Sequence, residues 1–371
     1  MKEETRAVQS MDTLSRLVIR AHVDSDEAAT QADLEQLRRD VRYVASLSRS
    51  QWADLLALAN NHHVVVRALT VLQNGAALAS ETEVVERCED ALVAERARIE
   101  KAVGFLHSIC SGLDAAGCKV AVIKSLDHWP DLGSDLDLYT TSDDRQVEEA
   151  MREEFDARPV ERSWGDRLAN KWNYRVPGLP ELVEIHVQYL GQTGEHVELA
   201  RRVIDREVSK TVAGRQFRVP APEERIVIST LQRMYRHFFF RLCDMVDTAA
   251  LLQSEMVHFG ELAKAADAAG IWPGVATYLC LVRNYVKHYG GVVSLPSEVG
   301  TSACSRESAV SFKQGFLRVS KTTAAGLYSL QLLQAGKRRD LRTLLRLPLL
   351  PPLAISALVA HGLTGDDKGI W

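Results

Sequence analysis

Apolar positions along the first third of the chain recur at three- and four-residue intervals, the period of a helix with one buried face. Trp52, Leu55, Leu56, Leu58 and Ala59 repeat this way behind a possible cap at Ser48 or Ser50, and Val64, Val65, Ala68, Leu69 and Leu72 resume it after Asn60-Asn61. A longer helix is predicted from Glu81 to about Ala116. Its stripe is Val85, Cys88, Leu92, Ile99, Val103, Leu106 and Ile109, and Gly117 suits the turn that ends it. The period then shortens. Lys119–Ile123 is a β-branched run fit for a buried strand, and Asp135-Leu-Asp-Leu-Tyr139 alternates polar and apolar, as does Leu182-Val-Glu-Ile-His-Val-Gln188. Thr141-Ser-Asp-Asp144 resembles a capping box opening a helix to about Phe155, and weaker strands are expected near 158–164 and 170–176. From Pro222 to about Tyr289 the helical period returns, with Leu231–Leu252 read as one helix. Residues 290–308 are loop-like.

The expected fold class is therefore α+β, a small mixed core between helical blocks. Boundaries fall at 1–117 (helical), 118–220 (α/β core), 221–290 (helical) and 291–371 (loop and an apolar, Pro-broken tail). Within that tail, Leu347 to Leu363 is almost wholly apolar but only 17 residues long and is interrupted by Pro348, Pro351 and Pro352. It is expected to pack on the body, with docking to a membrane surface or partner as the alternative, and no transmembrane segment is read.

Composition narrows the functional classes. The 371 residues are 46% hydrophobic and 25% charged, with a net charge of −4, so nothing in the overall balance draws the chain to nucleic acid. The aromatic fraction of 6% also argues against a base-stacking platform. None of the six cysteines forms a C-x-x-C pair, which leaves no zinc or redox motif in the spacing. The charged start carries no signal-peptide pattern, and a reducing cytoplasm is the expected setting. P-loop, dinucleotide-binding and hydrolase-elbow motifs are missing.

One constellation carries chemistry. On a strand, Asp135 and Asp137 project from one face about 7 Å apart. Two such carboxylates repel unless a cation neutralises them, and Mg²⁺ is the natural oxygen-preferring partner. Gly133 just ahead permits close backbone approach of a bulky anion. On the second alternating strand Glu184, 47 residues after Asp137, shares a polar face with His186. Paired beside the first strand, it supplies a third carboxylate, enough for two Mg²⁺ ions and for phosphoryl or nucleotidyl transfer. Lys124, Ser125 and the backbone around Gly133 and Ser134 are candidates for phosphate contacts, with an ion pair to Asp127 or Asp131 as the alternative for Lys124. His186, Arg236, His237 and Arg241 are further nucleotide-binding candidates, with orienting Glu184 or a purely structural place as the alternatives for His186. Arg233, His237, Arg241 and Asp244 would fall on one stripe of the Leu231–Leu252 helix, with a solvated salt-bridged face as the alternative. Lys171, Tyr174 and Arg175 precede Glu184 on a strand and are either phosphate contacts or surface.

With Ile123-Lys124-Ser125, Asp135-Leu136-Asp137 and Glu184-Ile185-His186 in this order, the sequence resembles the nucleotidyltransferase superfamily. The likeness is strongest to its uncharacterised bacterial family with a Lys-Gly turn, Asp-x-Asp and an acidic-x-His strand. Trp52-Ala-Asp-Leu-Leu, Asn61-His62-His63-Val64 and Arg241-Leu-Cys-Asp-Met-Val-Asp247 extend the resemblance over roughly residues 45–290. It implies a mixed nucleotidyltransferase-type sheet with flanking helical subdomains. It also implies transfer of an NMP from an NTP such as ATP to a hydroxyl of a small-molecule or protein acceptor, with release of pyrophosphate. Asp135, Asp137 and Glu184 would be the catalytic and metal-binding residues. Two departures stand out: Ser125 replaces the turn glycine, and the Arg that often precedes Asp-x-Asp is replaced by Asp131-Leu-Gly-Ser134. The alternatives are a catalytically silent nucleotide-binding or interaction protein of the same fold, and a toxin-like enzyme acting on tRNA.

Overall fold

The computed structural model describes residues 2–23, 31–254, 256–304 and 309–364. Five helices lead: α1 (Lys2–Val23), α2 (Gln31–Ala45), α3 (Arg49–Asn61), α4 (Val65–Leu78) and α5 (Thr82–Ala115). Ser48 caps α3, its hydroxyl accepting the Gln51 N–H while Gln51 Oε1 accepts the Ser48 N–H. The stripe expected on α5 is buried from Cys88 to Ile109 and half-buried at Val85, and Gly117 takes a positive φ of 80° behind the helix.

The core follows as β1 (Val120–Val122), β2 (Asp135–Thr140), α6 (Asp144–Phe155), β3 (Arg158–Pro159), α7 (Trp164–Ala169), β4 (Lys171–Arg175) and β5 (Leu182–Val187). The sheet order is β1-β2-β5-β4-β3. β2 and β5 run parallel, and the other neighbours are antiparallel. One face of β2 and β5 sends Leu136, Leu138, Val183, Ile185 and Val187 into the core; the other carries the acidic residues. Asp143, not Thr141, caps α6, accepting the Arg145 N–H at 3.0 Å.

Beyond the sheet come α8 (Val197–Asp205) and the hairpin β6 (Glu207–Val212) and β7 (Arg215–Pro220). Helix α9 (Pro222–Thr230) widens into a π-helical turn over Leu231–His237. The single helix expected across 231–252 does not form. Phe238 turns left-handed (φ 56°), β8 (Phe239–Phe240) pairs with a later strand, and α10 (Leu242–Gln253) starts afresh. The break is fixed from outside: Leu242 donates its N–H to His62 Nδ1, and Phe239 packs on Phe316 at 4.2 Å between ring centroids. The stripe from Arg233 to Asp244 is therefore not one helix face. Arg233 is buried and paired with Asp244 at 2.7 Å.

The remaining elements are α11 (Phe259–Ala268), α12 (Trp272–His288), α13 (Ser297–Ser302), β9 (Ser311–Lys313), β10 (Phe316–Arg318), α14 (Lys321–Arg338), α15 (Leu341–Arg346) and α16 (Leu350–Thr364). The apolar tail is thus helical. Pro351 and Pro352 sit in the first turn of α16, where no intrahelical N–H is required. Leu347 and Leu350 are buried on the body, whereas Ile355, Val359 and Leu363 are exposed. No helix among the described residues is long and apolar enough to cross a membrane.

Candidate active site

Asp137 of β2 stands at the same register as Glu184 of β5, so both carboxylates leave one face of the sheet side by side. Ligand atoms of Asp137, Glu184 and His186 all lie within 4.8 Å of one another. Asp135, one turn of the pleat away, is half-buried and receives the Ser134 hydroxyl at 3.3 Å.

Two lysines are aimed at these carboxylates. Lys124 pairs with Asp137 and lies 3.6 Å from Glu184; Lys171 reaches Glu184 at 2.9 Å and Asp166 at 2.8 Å. His186 donates from Nε2 to the other Glu184 oxygen at 2.9 Å. Every oxygen of Glu184 is therefore engaged. Burial raises Asp137, and the neighbouring charge of Glu184 adds to it against the pull of Lys124, bringing the carboxyl up to about 7. Burial opposes the charge on Glu184 too, but Lys124, His186 and Lys171 outweigh it and hold that carboxyl well below its ordinary range. Burial, then Glu184, raises Asp135. Burial also lowers His186 to about 4, so its imidazole is neutral near pH 7.

The turn after β1 explains how Lys124 gets there. Lys124 has φ 66° and ψ −56°, and the Ser125 N–H bonds to the Ile123 carbonyl at 2.8 Å. This is the rare positive-φ γ-turn, strained for a residue with a Cβ. It folds the lysine back over the sheet. The positive φ falls on Lys124 rather than on Ser125, where the resemblance expects glycine. Ser125 is buried and serves the turn: its hydroxyl accepts the Asp137 N–H at 2.7 Å and donates to the Asp135 carbonyl at 3.2 Å.

Four of the other sequence candidates, Arg236, Gly133, Ser134 and Arg241, divide between two cavities. Arg236 lines a cavity of about 60 Å³ with Lys124 and His186, closed by Leu190, Gln192, Ile228, Leu231, Tyr235 and, from the C-terminal helices, Tyr328, Gln331, Leu347 and Leu350. Arg346 donates to the carbonyls of Leu168 and Thr193, and Arg342 lies 3.9 Å over the Tyr189 ring, so α15 is pinned beside the site. Gly133, Ser134 and Arg241 line a separate, more open cavity of about 300 Å³ with Asn60, Asn61 and His63. Arg241 thus brings a guanidinium beside the loop that lacks its own. His237 packs against Phe239 and lines neither cavity. Of the β4 candidates, Lys171 is in the site, Tyr174 is buried and Arg175 is exposed. Asp127 and Asp131 pair with Arg225 and Arg67 and not with Lys124. Gln331 and the walls from α14 to α16 carried no sequence signal, because the residues they face are distant in the chain, and Asp166 enters through its pair with Lys171, five positions on.

A family model described as uncharacterised nucleotidyltransferase matches residues 48–287. No curated protein matches the chain. Two solved structures overlap with it. The solution structure of the antibiotic-resistance factor ANT(2'')-Ia is 13% identical, with a TM-score of 0.35 over 46% of this chain and 91% of that one. The crystal structure of an antigenic nucleotidyltransferase-like protein from Paracoccidioides brasiliensis is 15% identical, with a TM-score of 0.30 over 52% and 94%.

Proposed function

The chain belongs to the uncharacterised nucleotidyltransferase family, and from that premise we propose that it moves an NMP from an NTP to a hydroxyl of a small-molecule acceptor in a Mg²⁺-dependent reaction. The observation that carries this reading is the pairing of Asp137 with Glu184 across the parallel β2–β5 edge, with Asp135 beside them and lysines on both flanks. Asp135 and Asp137 fit a hard cation: both offer carboxylate oxygens from one strand face, and Asp135 meets only a hydroxyl among its hydrogen bonds. When bound there, Mg²⁺ would neutralise triphosphate charge and orient its oxygens for in-line attack. An ion on Asp137 would have to displace Lys124, and a second ion at Glu184 would have to displace Lys171 or His186 as well.

The chain's own groups have distinct parts in this proposal. The acceptor oxygen bonds to the α-phosphorus, the bond to pyrophosphate breaks, and the hydroxyl proton passes to the Asp137–Glu184 carboxylate pair, in which burial brings Asp137 up to about 7. The neutral His186 imidazole holds Glu184 through Nε2. Lys124 and Arg236 face the departing charge from the cavity beside His186. The apolar walls of that cavity, and the net charge of −4, support a small acceptor over a polynucleotide. The silent nucleotide-binding alternative draws on one feature: Lys124 already stands where a cation would neutralise Asp137 and Glu184.

Thermal shifts with ATP, GTP, CTP and UTP, with and without Mg²⁺, test the reading alongside pyrophosphate release. A Mg²⁺-dependent shift for one nucleotide, lost in Asp135→Asn/Asp137→Asn, is expected. A shift without pyrophosphate release across an acceptor screen would favour the silent protein, and no shift in the folded chain would remove both.

A further inference from the structure

A second cluster of ligand-type side chains lies away from the carboxylates. His63 is in the turn between α3 and α4, His128 in the 3₁₀ turn after β1, and Cys243 in the first turn of α10. All three are buried, and one ligand atom from each lies within 4.8 Å of the others. Cys243 Sγ is 3.9 Å from His128 Nε2. Zinc–sulfur and zinc–nitrogen bonds of about 2.3 and 2.0 Å set tetrahedral N and S donors roughly 3.5 Å apart, so this pair needs to close by only a few tenths of an ångström.

Three further features are those of a metal site. The opposite nitrogen of His128, Nδ1, meets Asp247 Oδ2 at 2.6 Å, the carboxylate–histidine arrangement that fixes the ring and turns Nε2 toward the Cys243 sulfur, a contact that an ion between them would replace. His63 keeps a buried Nδ1 without a hydrogen-bond partner and adopts φ 51°, a strained conformation for a non-glycine residue that brings its ring against Gly133. Charge also balances. Asp247 and Asp131 surround Arg67, so a divalent ion with the Cys243 thiolate would leave the group neutral.

We propose that His63, His128 and Cys243 bind one Zn²⁺-class ion, with water in the fourth position and Asp247 orienting His128. None of these residues belongs to the Asp135–Asp137–Glu184 site, and the proposal goes beyond nucleotidyl transfer. The ion would tie the α3–α4 turn and α10 to the segment 128–134 that leads into Asp135. Sequence spacing hid it: His128 follows His63 by 65 positions and Cys243 follows His128 by 115.

Full-length protein, stripped with chelator and titrated with Co²⁺ and then Zn²⁺, tests this. One tightly held ion per chain is expected, with a thiolate-to-cobalt charge-transfer band that Zn²⁺ abolishes. Cys243→Ala should lose the band, Asp135→Asn/Asp137→Asn should retain it, and Asp247→Asn should weaken binding ten- to hundredfold, on the order seen for such outer partners. No band in the folded wild-type chain, or an unchanged band in Cys243→Ala, would overturn the proposal. Should Cys243→Ala fail to fold, His63→Asn decides instead: at least tenfold weaker Co²⁺ binding supports the site, and unchanged affinity overturns it.

Discussion

Lys171 is buried between Asp166 and Glu184 and reaches both carboxylates within hydrogen-bond distance. Its removal leaves two acidic groups facing each other in a poorly hydrated site. Breaking a buried pair from one side costs about 3–5 kcal/mol, because the remaining charge is uncompensated. Lys171→Met is expected to lower unfolding stability by that order in a urea titration. Added Mg²⁺ should recover part of the loss if a cation can take the place of the ammonium. Lys124 differs, since its side chain is delivered by a strained turn. A lysine at φ 66° persists only where its contacts outweigh the strain, and here those contacts are Asp137 and Glu184.

Each short element closes around its turn. In the β6–β7 hairpin the two linking residues, Ala213 and Gly214, both have positive φ, 48° and 73°. That is the backbone of a tight two-residue hairpin, which favours glycine or asparagine in both places. Alanine in the first place is the strained choice. Ala213→Gly should raise stability by up to about 1 kcal/mol, read as a higher Tm, with Ala213→Asn acting in the same direction. If the variant is less stable, the turn is not held in this conformation in solution. The break at Phe238 is the opposite kind of element. Helical periodicity continues through it, and it forms because β8 finds β10 and because His62 takes the Leu242 N–H.

Across the whole molecule, several histidines are buried without becoming charged, and His196 is one that stands clear of both ligand clusters. Burial lowers it below its ordinary value, against the pull of Glu195 and Asp340. The unfolded chain takes up that proton below about pH 6.5 while the folded chain refuses it until a lower pH. Stability from this group is thus fully present above about pH 6.5 and lost as pH falls toward the folded-state value. Denaturant midpoints between pH 7.5 and 5 should fall with decreasing pH, and His196→Gln should flatten that slope. An unchanged slope would mean that His196 is protonated in the folded protein. The C-terminal helices belong to this scale as well: Leu347 and Leu350 join residues from the sheet and from α9 in walling the cavity beside His186.

The sequence by itself determined the α+β layout, the long helix ending at Gly117, and the two alternating strands with Asp135, Asp137, Glu184 and His186 on their polar faces. Periodicity is a local property, and local spacing is enough to fix which side chains share a strand face. The nucleotidyltransferase family was legible for the same reason, since its motifs are short runs. Only the tertiary structure decided what those faces meet. That Lys124 pairs with Asp137 rather than Asp127, that Ser125 serves the turn, that the 231–252 helix breaks, and that His63, His128 and Cys243 converge all depend on contacts between residues far apart in the chain. Burial and opposing charges then set the protonation of each group, and neither is written in the spacing of the residues themselves.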